Sequence, residues 1–415
     1  MSKHVLIVAY HFPPQAASSG IQRTLSFSKH LGSDGWNPIV LSANPLAYEH
    51  KNSSQLASLP ADLIIRRTFA FDSKRHLGIL GRYPEIIALP DRWISWCFSA
   101  IPVGLSLIRK YKPSVIWSTF PIATSHLIAL SLKRLTGLPW VADFRDPMLQ
   151  SNFPTSKLQR KVYQWIEHHT ITQCDQVVFT TYSALESYKQ RFPASLHYKF
   201  TVIENGFDED SFLPGLNCGQ SNYVKTPHRI TLLHSGVLYS HGRDPSAFFQ
   251  AISSLKEKQV VNSNIFRVVL RAPGDIQYFR TLIQKYEVED VVQVEPPVSY
   301  QEALNEMLSA DGLLVFQGTP FNTQIPAKIY EYFWAKKPIF GLIDPIGETA
   351  KVLRAAGFSD LASIQSADLI AASLEGFISN IRRGIAYVAS DELIAASSRK
   401  NRSRQLAQIF NHVSG

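Results

Sequence analysis

Residues suited to binding phosphate follow two strand-like segments in the second half of the chain. Arg243 lies just before Pro245 at the predicted start of a helix, where a guanidinium and free backbone N–H groups could together bind a pyrophosphate. Lys328 lies in the first turn of a helix that begins at Pro326, and Glu331 follows on a similar face. Because a lysine there opposes the helix dipole, the pattern indicates either an anion site or a buried pair of Lys328 with Glu331.

A Pro-rich turn in the first half has a similar character. The segment Tyr10–Arg23 follows a strand-like run and brings Ser18, Ser19 and Gly20 to the N-terminus of a predicted helix. Free N–H groups and the helix dipole at such an end suit a phosphate. The alternative is an ordinary connection between a strand and a helix.

Three charged residues directly follow the predicted buried strand Trp140–Ala142: Asp143, Arg145 and Asp146. Charges in such a place are costly unless they are paired or used. They indicate either an ion pair between Arg145 and one of the aspartates or recognition of a polar substrate. His126, on the helix after the preceding strand, could reach the same site or could be a buried structural histidine.

The elements that position these residues alternate between apolar strand-like runs and longer helical patterns. Continuous apolar runs are typical of parallel strands that helices cover on both faces. The sequence therefore predicts an α/β protein with two Rossmann-like, doubly wound parallel sheets that face a cleft. The predicted strands are Val5–Ala9, Ile39–Leu41, Leu63–Arg66, Val115–Ser118, Trp140–Ala142, Gln176–Thr180, Phe200–Ile203, Ile230–His234, Phe266–Arg271, Val291–Val294, Gly312–Phe316 and Pro338–Leu342.

The domain boundaries follow from composition. Residues 1–204 form the first predicted domain, and residues 228–388 form the second. Residues 205–227 between them are rich in Gly, Asn, Asp and Pro and are predicted to be a linker. Residues 389–415 contain one predicted amphipathic helix, Asp391–His412, which is expected to return to the first domain.

Several familiar motifs are missing from the sequence. No GxGxxG, P-loop, HExxH or GxSxG pattern occurs, which argues against a dinucleotide loop, a P-loop nucleotide site, a zinc protease and an α/β-hydrolase. Asp208 and Asp210 form a D-x-D string that suits either a divalent metal or a solvated acidic turn, and no metal site is predicted. The three cysteines lie far apart, which fits a reducing compartment and a cytoplasmic protein.

The net charge of +9 is unevenly distributed. Residues 1–200 contain 22 Lys and Arg against 11 Asp and Glu, whereas residues 201–415 contain 20 against 22. The basic residues form no dense run with interleaved aromatics, so nucleic-acid binding is not expected. Many of them flank the uncharged stretch Trp93–Ile108, which is too short to span a membrane. This predicts a peripheral contact with the anionic inner face of the plasma membrane. These basic residues are Arg66, Arg67, Lys74, Arg75, Arg82, Arg92, Arg109, Lys110 and Lys112.

Taken in order, the motifs resemble those of bacterial glycosyltransferases of the GT-B fold, in the family-4-like group, over nearly the full chain. The matching segments are the Pro-Pro…Ser-Gly-Ile-Gln-Arg loop, Pro139-Trp-Val-Ala-Asp-Phe-Arg-Asp-Pro, Asn205-Gly-Phe-Asp, His234-Ser-Gly, Ile325-Pro-Ala-Lys-Ile-Tyr-Glu-Tyr and Lys337-Pro-Ile. The resemblance implies transfer of a sugar from a nucleotide diphosphate donor, with retained configuration and without a required metal or other cofactor. It also implies that the N-terminal domain takes the acceptor.

The resemblance assigns donor contacts to four of the residues above and to one further position. Arg243 and Lys328 would bind the diphosphate and stabilise the leaving group, Glu331 would accept hydrogen bonds from the ribose, and Gly20 would lie close to the diphosphate or sugar. Thr323 stands where the family has the first acid of a spaced glutamate pair.

The acceptor side follows from the same resemblance. Asp143 and His126 would take part in catalysis, and Arg145 and Asp146 would face the sugar and acceptor. The expected function is transfer to a lipid-linked or saccharide acceptor in cell-surface polysaccharide, exopolysaccharide or lipopolysaccharide synthesis. A nucleotide-sugar 2-epimerase of similar fold and a basic nucleic-acid-binding protein are the alternatives.

Overall fold

The computed structural model describes residues 3–15, 20–52, 54–77, 84–150, 153–209 and 229–415. Most of the predicted linker, together with Ser18, Ser19, Arg82, Asp210 and Cys218, lies outside these residues. The chain divides into two compact units. Unit 1 comprises Met1–Asn205 and Arg399–Gly415, and unit 2 comprises Gly206–Ser398.

Unit 1 contains a seven-stranded parallel sheet in the order β3-β2-β1-β4-β5-β6-β7. Its strands are β1 Lys3–Val8, β2 Trp36–Ala43, β3 Ile64–Thr68, β4 Val115–Phe120, β5 Trp140–Phe144, β6 Gln176–Phe179 and β7 Phe200–Val202. β4 and β5 are buried along their whole length, because helices cover both faces of the sheet. In β1, Leu6 and Val8 pack into one core layer while Val5 and Ile7 pack into the other.

The helices of unit 1 begin and end at residues suited to those places. They are α1 Gly20–His30, α2 Ser73–His76, α3 Trp96–Tyr111, α4 Ala123–Thr136, α5 Lys157–Gln173 and α6 Tyr182–Arg191. Ser156 and Thr181 accept backbone hydrogen bonds as the N-caps of α5 and α6, and Gly137 ends α4 in the left-handed conformation. Within the described ranges, no helix combines the length and the apolar character needed to cross a bilayer.

Unit 2 contains a six-stranded parallel sheet in the order β10-β9-β8-β11-β12-β13. Its strands are β8 Ile230–Ser235, β9 Phe266–Arg271, β10 Val292–Glu295, β11 Gly312–Gln317, β12 Ile339–Ile343 and β13 Leu361–Ser363. Its helices are α7 Ser246–Glu257, α8 Ile276–Lys285, α9 Tyr300–Ser309, α10 Lys328–Trp334, α11 Glu348–Ala355, α12 Ala367–Arg382 and α13 Asp391–Ala396. The predicted α/β class with two parallel sheets is therefore confirmed.

The C-terminal segment differs from the prediction. In place of one helix over Asp391–His412, the structure has α13 in unit 2 and a separate helix, α14 Arg399–Ser414, in unit 1. The chain leaves the helical path at Ser397 and Ser398, where the Phe207 N–H donates to the Ser397 carbonyl (3.3 Å). α14 packs against unit 1, as predicted for the C-terminal helix. Leu406, Ala407 and Phe410 enter its core, and the Phe410 ring centroid lies 5.2 Å from that of Trp36.

Candidate functional site

Lys328 is held at the end of β8 in unit 2. Its Nζ donates to the Ser235 carbonyl (2.6 Å) and lies 3.4 Å from His234 Nε2. Gly236 follows with a φ of +118°, and a Cβ there would lie 3.0 Å from the Lys328 Nζ. A side chain at this position would therefore crowd the amine. Of the two alternatives for Lys328, an anion site or a buried pair with Glu331, these contacts with β8 favour the first.

Arg243 is fixed beside the same strand ends. Its Nε donates to Gln317 Oε1 (3.0 Å), and its guanidinium lies over the Phe321 ring, 4.9 Å from the centroid. The Gln317 amide nitrogen in turn donates to the Phe321 carbonyl (3.1 Å). Sequence reasoning missed Gln317. Its signal is a glutamine at the end of an otherwise apolar strand, where a buried amide needs partners.

The two cations influence each other. Burial and the nearby Arg243 charge lower the pKa of Lys328 to about 7. Burial, followed by the Lys328 charge, holds the pKa of His234 well below its usual range, so His234 is neutral. Two half-buried positive groups that repel each other are stabilised by an anion bound between them. This arrangement suits a diphosphate.

A cavity of about 440 Å³ adjoins the loop that carries Arg243. Gly242 and Asp244 line it on one side, and Gly318, Thr319 and Pro320 line it on another. The Gly318 N–H donates to the Gly242 carbonyl (2.7 Å), so the two loops are joined directly beneath it. Neighbours of Arg243 line the cavity, whereas Arg243 and Lys328 themselves are not among its lining residues.

Glu331 and Thr323, the other predicted donor-binding residues of unit 2, lie within and before the first turn of α10. Glu331 lies in the first turn of α10, and its Oε1 accepts a hydrogen bond from the Tyr300 hydroxyl (2.8 Å). Thr323 is exposed on the loop before α10. α10 itself begins at Lys328 rather than at Pro326. Tyr300, which is also exposed, is a further candidate that sequence reasoning missed.

In unit 1, Asp143 has a partner that the sequence did not indicate. It is fully buried and forms a two-pronged ion pair with Arg23, whose Nη2 lies 2.8 Å from Oδ1 and whose Nε lies 3.1 Å from Oδ2. Thr119 Oγ1 also donates to Oδ2 (2.9 Å). An ion pair of Arg145 with one of the aspartates was one of two alternatives, and of these aspartates Asp143 pairs with Arg23, while the Asp146 charge acts on Arg145. Asp143 has the surroundings of a structural carboxylate that ties α1 to β4 and β5.

Loss of this pair is expected to destabilise unit 1. Arg23→Met should lower the free energy of unfolding by about 3–5 kcal/mol, because it leaves the Asp143 charge buried and unpaired. Urea unfolding followed by tryptophan fluorescence would measure it, since Trp334 is the only one of the seven tryptophans whose position falls in unit 2. Lys189→Met, which removes an exposed pair with Glu186, serves as the control and should cost below about 1 kcal/mol. Equal effects of the two substitutions would contradict the structural assignment.

Arg145 lies against the N-terminus of α1. Its Nε donates to the Phe120 carbonyl (2.7 Å), and its Nη2 lies 3.3 Å from His11 Nδ1. A Cβ on Gly20 would lie 1.9 Å from Arg145 Nη1, so any side chain there would require the Arg145 guanidinium to move. Burial and the Arg145 charge lower the pKa of His11 to about 3, which leaves its ring neutral. The structure thus brings Gly20 and Arg145 together. The Arg145 guanidinium lies at the N-terminus of α1, where a phosphate site was one of the two alternatives.

Asp146 and His126 lie in different surroundings. Burial raises the pKa of Asp146, although the Arg145 charge opposes this. His126 is fully buried, its Nδ1 lies 2.8 Å from Ser118 Oγ, and its ring packs 4.7 Å from that of Phe144. Burial lowers its pKa to about 3. A general base works best with a pKa near the operating pH, so the structure places His126 in the core and not in a catalytic position.

A second cavity, the unit 1 pocket, has a volume of about 650 Å³ and lies beyond the ends of β1 and β4. Trp93, Phe153 and Tyr163 give it an aromatic wall. Its polar lining residues are His11, Glu85, Asp91, Arg92 and Gln159. The Trp93 Nε1 is buried without a hydrogen-bond partner among the described residues. Such a donor beside an aromatic wall suits a ligand with hydroxyl or phosphate oxygens. The sequence analysis did not identify this pocket.

Possible metal ligands are not grouped in the described ranges. Among those residues, no three or more His, Cys, Asp or Glu side chains are arranged to hold a metal ion. Asp208 is buried, and its D-x-D partner Asp210 lies outside the described residues. Cys97 and Cys174 are buried free thiols.

Comparison with known proteins identifies the architecture. No protein-family model and no curated protein matches the sequence. HepE of Anabaena, solved with UDP and glucose, is similar in structure with a TM-score of 0.67 at 11% identity, over 99% of this chain and 100% of that chain. Sucrose-phosphate synthase from Thermosynechococcus elongatus gives a TM-score of 0.60 at 13% identity, over 99% and 96%. UDP-GlcNAc 2-epimerase from Neisseria meningitidis, bound to UDP-GlcNAc, gives 0.55 at 11% identity, over 99% and 100%. The chain therefore has the GT-B fold of nucleotide-sugar glycosyltransferases, with two Rossmann-like α/β domains.

Proposed function

We propose that the protein is a glycosyltransferase that moves a sugar from a nucleoside diphosphate donor to an acceptor. The observation that carries the proposal is the pair of half-buried cations, Arg243 and Lys328, fixed at the carboxyl ends of β8 and β11 by Gln317 and Ser235. Open α/β sheets bind their ligands at this edge. The likeness to HepE, which was solved with UDP-glucose bound, supports a nucleotide-sugar donor.

In this proposal the cations act on the leaving group. The bond between the sugar C1 and the diphosphate oxygen breaks, and the acceptor hydroxyl forms a new bond to C1. Arg243 and Lys328 stabilise the negative charge that develops on the diphosphate, and the acceptor proton passes to a leaving phosphate oxygen. Glu331 accepts hydrogen bonds from the ribose hydroxyls. The reaction proceeds with retained configuration and without a metal.

The acceptor binds unit 1. Its pocket combines an aromatic wall with His11 and Arg92, which suits either a saccharide or the polar end of a lipid-linked acceptor. Arg145, beside Gly20 and His11, is a further cation near this pocket. We place the reaction in cell-surface polysaccharide synthesis, with the protein in the cytoplasm at the inner face of the plasma membrane.

The donor class can be tested by binding. The purified protein is expected to bind UDP at least about tenfold more tightly than UMP, because the second phosphate adds charge-assisted contacts with Arg243 and Lys328. Isothermal titration calorimetry measures both affinities. GDP and ADP, titrated under the same conditions, show which base is preferred. Equal affinity for all diphosphates and monophosphates would contradict the donor assignment.

A nucleotide-sugar 2-epimerase is the second candidate, because an epimerase shares the fold over 99% of the chain. The two reactions have different products. An epimerase converts UDP-GlcNAc to its C2 epimer with no acceptor present, and proton NMR of the incubated nucleotide sugar detects this directly. We expect no epimer and, with an acceptor present, release of the nucleoside diphosphate.

A further inference from the structure

Four large apolar side chains are exposed at one end of unit 1. Phe98 is 83% exposed, Ile86 70%, Phe69 62% and Leu77 44%. Phe69 directly follows β3, Leu77 directly follows α2, and Phe98 lies in the first turn of α3. These positions all belong to the edge of the sheet where the strands end. Single exposed apolar residues are common, but a group of this size marks a contact surface.

Hydrogen bonds hold these side chains in place. Ser99 Oγ, on α3, donates to the Phe69 carbonyl (2.5 Å), and the Phe71 N–H donates to Ser95 Oγ (3.0 Å). Ser73 Oγ, at the start of α2, donates to the Ile87 carbonyl (2.9 Å) in the short 3-10 helix Glu85–Ala88 that carries Ile86. The segments that carry the four apolar residues are therefore linked by hydrogen bonds, and we name the surface formed by Phe69, Leu77, Ile86 and Phe98 the apical face.

The apical face carries more basic than acidic side chains, although Glu85 is also exposed on the short helix that presents Ile86. Lys74, Arg75 and His76 form the exposed part of α2, between Phe69 and Leu77. Asp72, which caps α2, is buried and lies 3.4 Å from Arg92. Basic side chains interleaved with aromatic and aliphatic ones are typical of surfaces that enter the headgroup region of anionic bilayers.

Several of the basic residues that flank Trp93–Ile108 in the sequence lie away from the apical face or are engaged in other contacts. Arg67 turns inward to the Pro13 carbonyl, and Arg92 lies over the Trp93 ring. Arg109 and Lys110 lie at the far end of α3, about 20 Å from its start. The stretch Trp93–Ile108 is mostly packed into the core, and Phe98 is its exposed large hydrophobic side chain.

We propose that the apical face docks on an anionic lipid bilayer, with Phe69, Leu77, Ile86 and Phe98 entering the headgroup region and Lys74 and Arg75 contacting lipid phosphates. This deepens the location given in the proposed function, and it rests on that function only for the identity of the membrane. The unit 1 pocket adjoins the same face. Ala88 lines the pocket from the same short helix that presents Ile86 to solvent. Docking thus brings the pocket to the level of the lipid headgroups, where a lipid-linked acceptor presents its polar end.

Vesicle sedimentation without nucleotide or acceptor tests this inference. The full chain is expected to bind vesicles of phosphatidylglycerol and phosphatidylcholine, and to bind phosphatidylcholine alone at least about tenfold more weakly. Both the Phe69→Ser/Phe98→Ser variant and the Lys74→Gln/Arg75→Gln variant should lose at least about tenfold in affinity. Leu135→Ser is the matched control. Leu135 is 63% exposed in unit 1, but it lies at the end of α4, on the opposite edge of the sheet, and its substitution should change nothing.

Three results would overturn the inference: equal binding to neutral vesicles, unchanged binding of both double variants, or the same loss in Leu135→Ser. If the double variants instead change the sedimentation coefficient of the free protein without affecting vesicle binding, the apical face is a protein interface. Circular dichroism melting of each variant confirms that it is folded. UDP binding is measured on the same samples. A protein that binds UDP but no vesicles contradicts the docking proposal alone, whereas a protein that binds no UDP contradicts the proposed function.

Discussion

Lys328→Ala is expected to lower kcat/KM for sugar transfer by about two to three orders of magnitude. The Lys328 amine is one of two cations at the candidate diphosphate site, and it is aimed there by the Ser235 carbonyl. Removing one preorganised charge from a developing anion typically costs about 10²–10³ in rate. Release of nucleoside diphosphate, measured with acceptor present and with nucleotide sugars that carry the base preferred in calorimetry, gives kcat/KM.

The controls separate chemistry from folding. Lys328→Met keeps the apolar stem of the side chain and should lose activity to a similar extent, because the loss comes from the charge. Lys285→Ala removes an exposed lysine at the end of α8 in the same unit and should leave the rate unchanged. A Lys328→Ala enzyme that retains more than about a tenth of the wild-type rate while folded would remove Lys328 from the mechanism.

Nucleoside diphosphate binding is expected to weaken as the pH rises from 7.5 to 9. The pKa of Lys328 is lowered to about 7 in the free protein, so the amine is mostly neutral over this range. A bound diphosphate favours the charged amine and raises its pKa, so binding takes up a proton. The Kd for UDP should therefore rise by about tenfold per pH unit until the pH reaches the pKa of the complex. Calorimetry at several pH values measures this directly.

The range above pH 7.5 is chosen because the terminal phosphate of the nucleotide is already fully ionised there. His234 is neutral over this whole range, since its pKa lies well below its usual range. It therefore does not contribute to the dependence of the Kd on pH. In Lys328→Met, the Kd should be larger but independent of pH over this interval. Calorimetry in two buffers of different ionisation enthalpy should detect uptake of nearly one proton by the wild-type protein. A flat Kd profile in the wild-type protein would contradict the role given to Lys328.

The secondary structure was largely predictable because it follows from local patterns. Strands such as β4 and β11 are continuous apolar runs, since helices cover both of their faces. β13 was missed because its three residues form no continuous apolar run, whereas β7, which is equally short, belongs to the predicted strand Phe200–Ile203. α12 has a clear signal in the sequence: Ser366 is its N-cap, and Ile370, Leu374 and Phe377 have helical spacing. The break between α13 and α14 was not predictable, because Ser397 and Ser398 do not interrupt an amphipathic pattern.

Site residues could be predicted when their chemistry depends only on their position relative to one strand or one helix. Arg243 and Lys328 could be identified because each lies where a strand has ended and a helix begins, and the structure brings both to the ends of β8 and β11. Gln317 and Tyr300 were missed because their partners come from other parts of the chain. The unit 1 pocket was missed for the same reason.

The sequence by itself determined the α/β class, the order of strands and helices, and the cations of the candidate donor site, because these depend on periodicity, polarity and position relative to a helix end. Only the tertiary structure decided which charges are paired and which are available. Asp143 pairs with Arg23, which lies 120 residues away in the chain, because the sheet order places β1, β4 and β5 side by side. The same packing encloses His126 in an aromatic core and leaves Phe98 in solvent. The energy of a charge or ring depends on its surroundings in space, and the chain acquires those surroundings only when the sheet assembles.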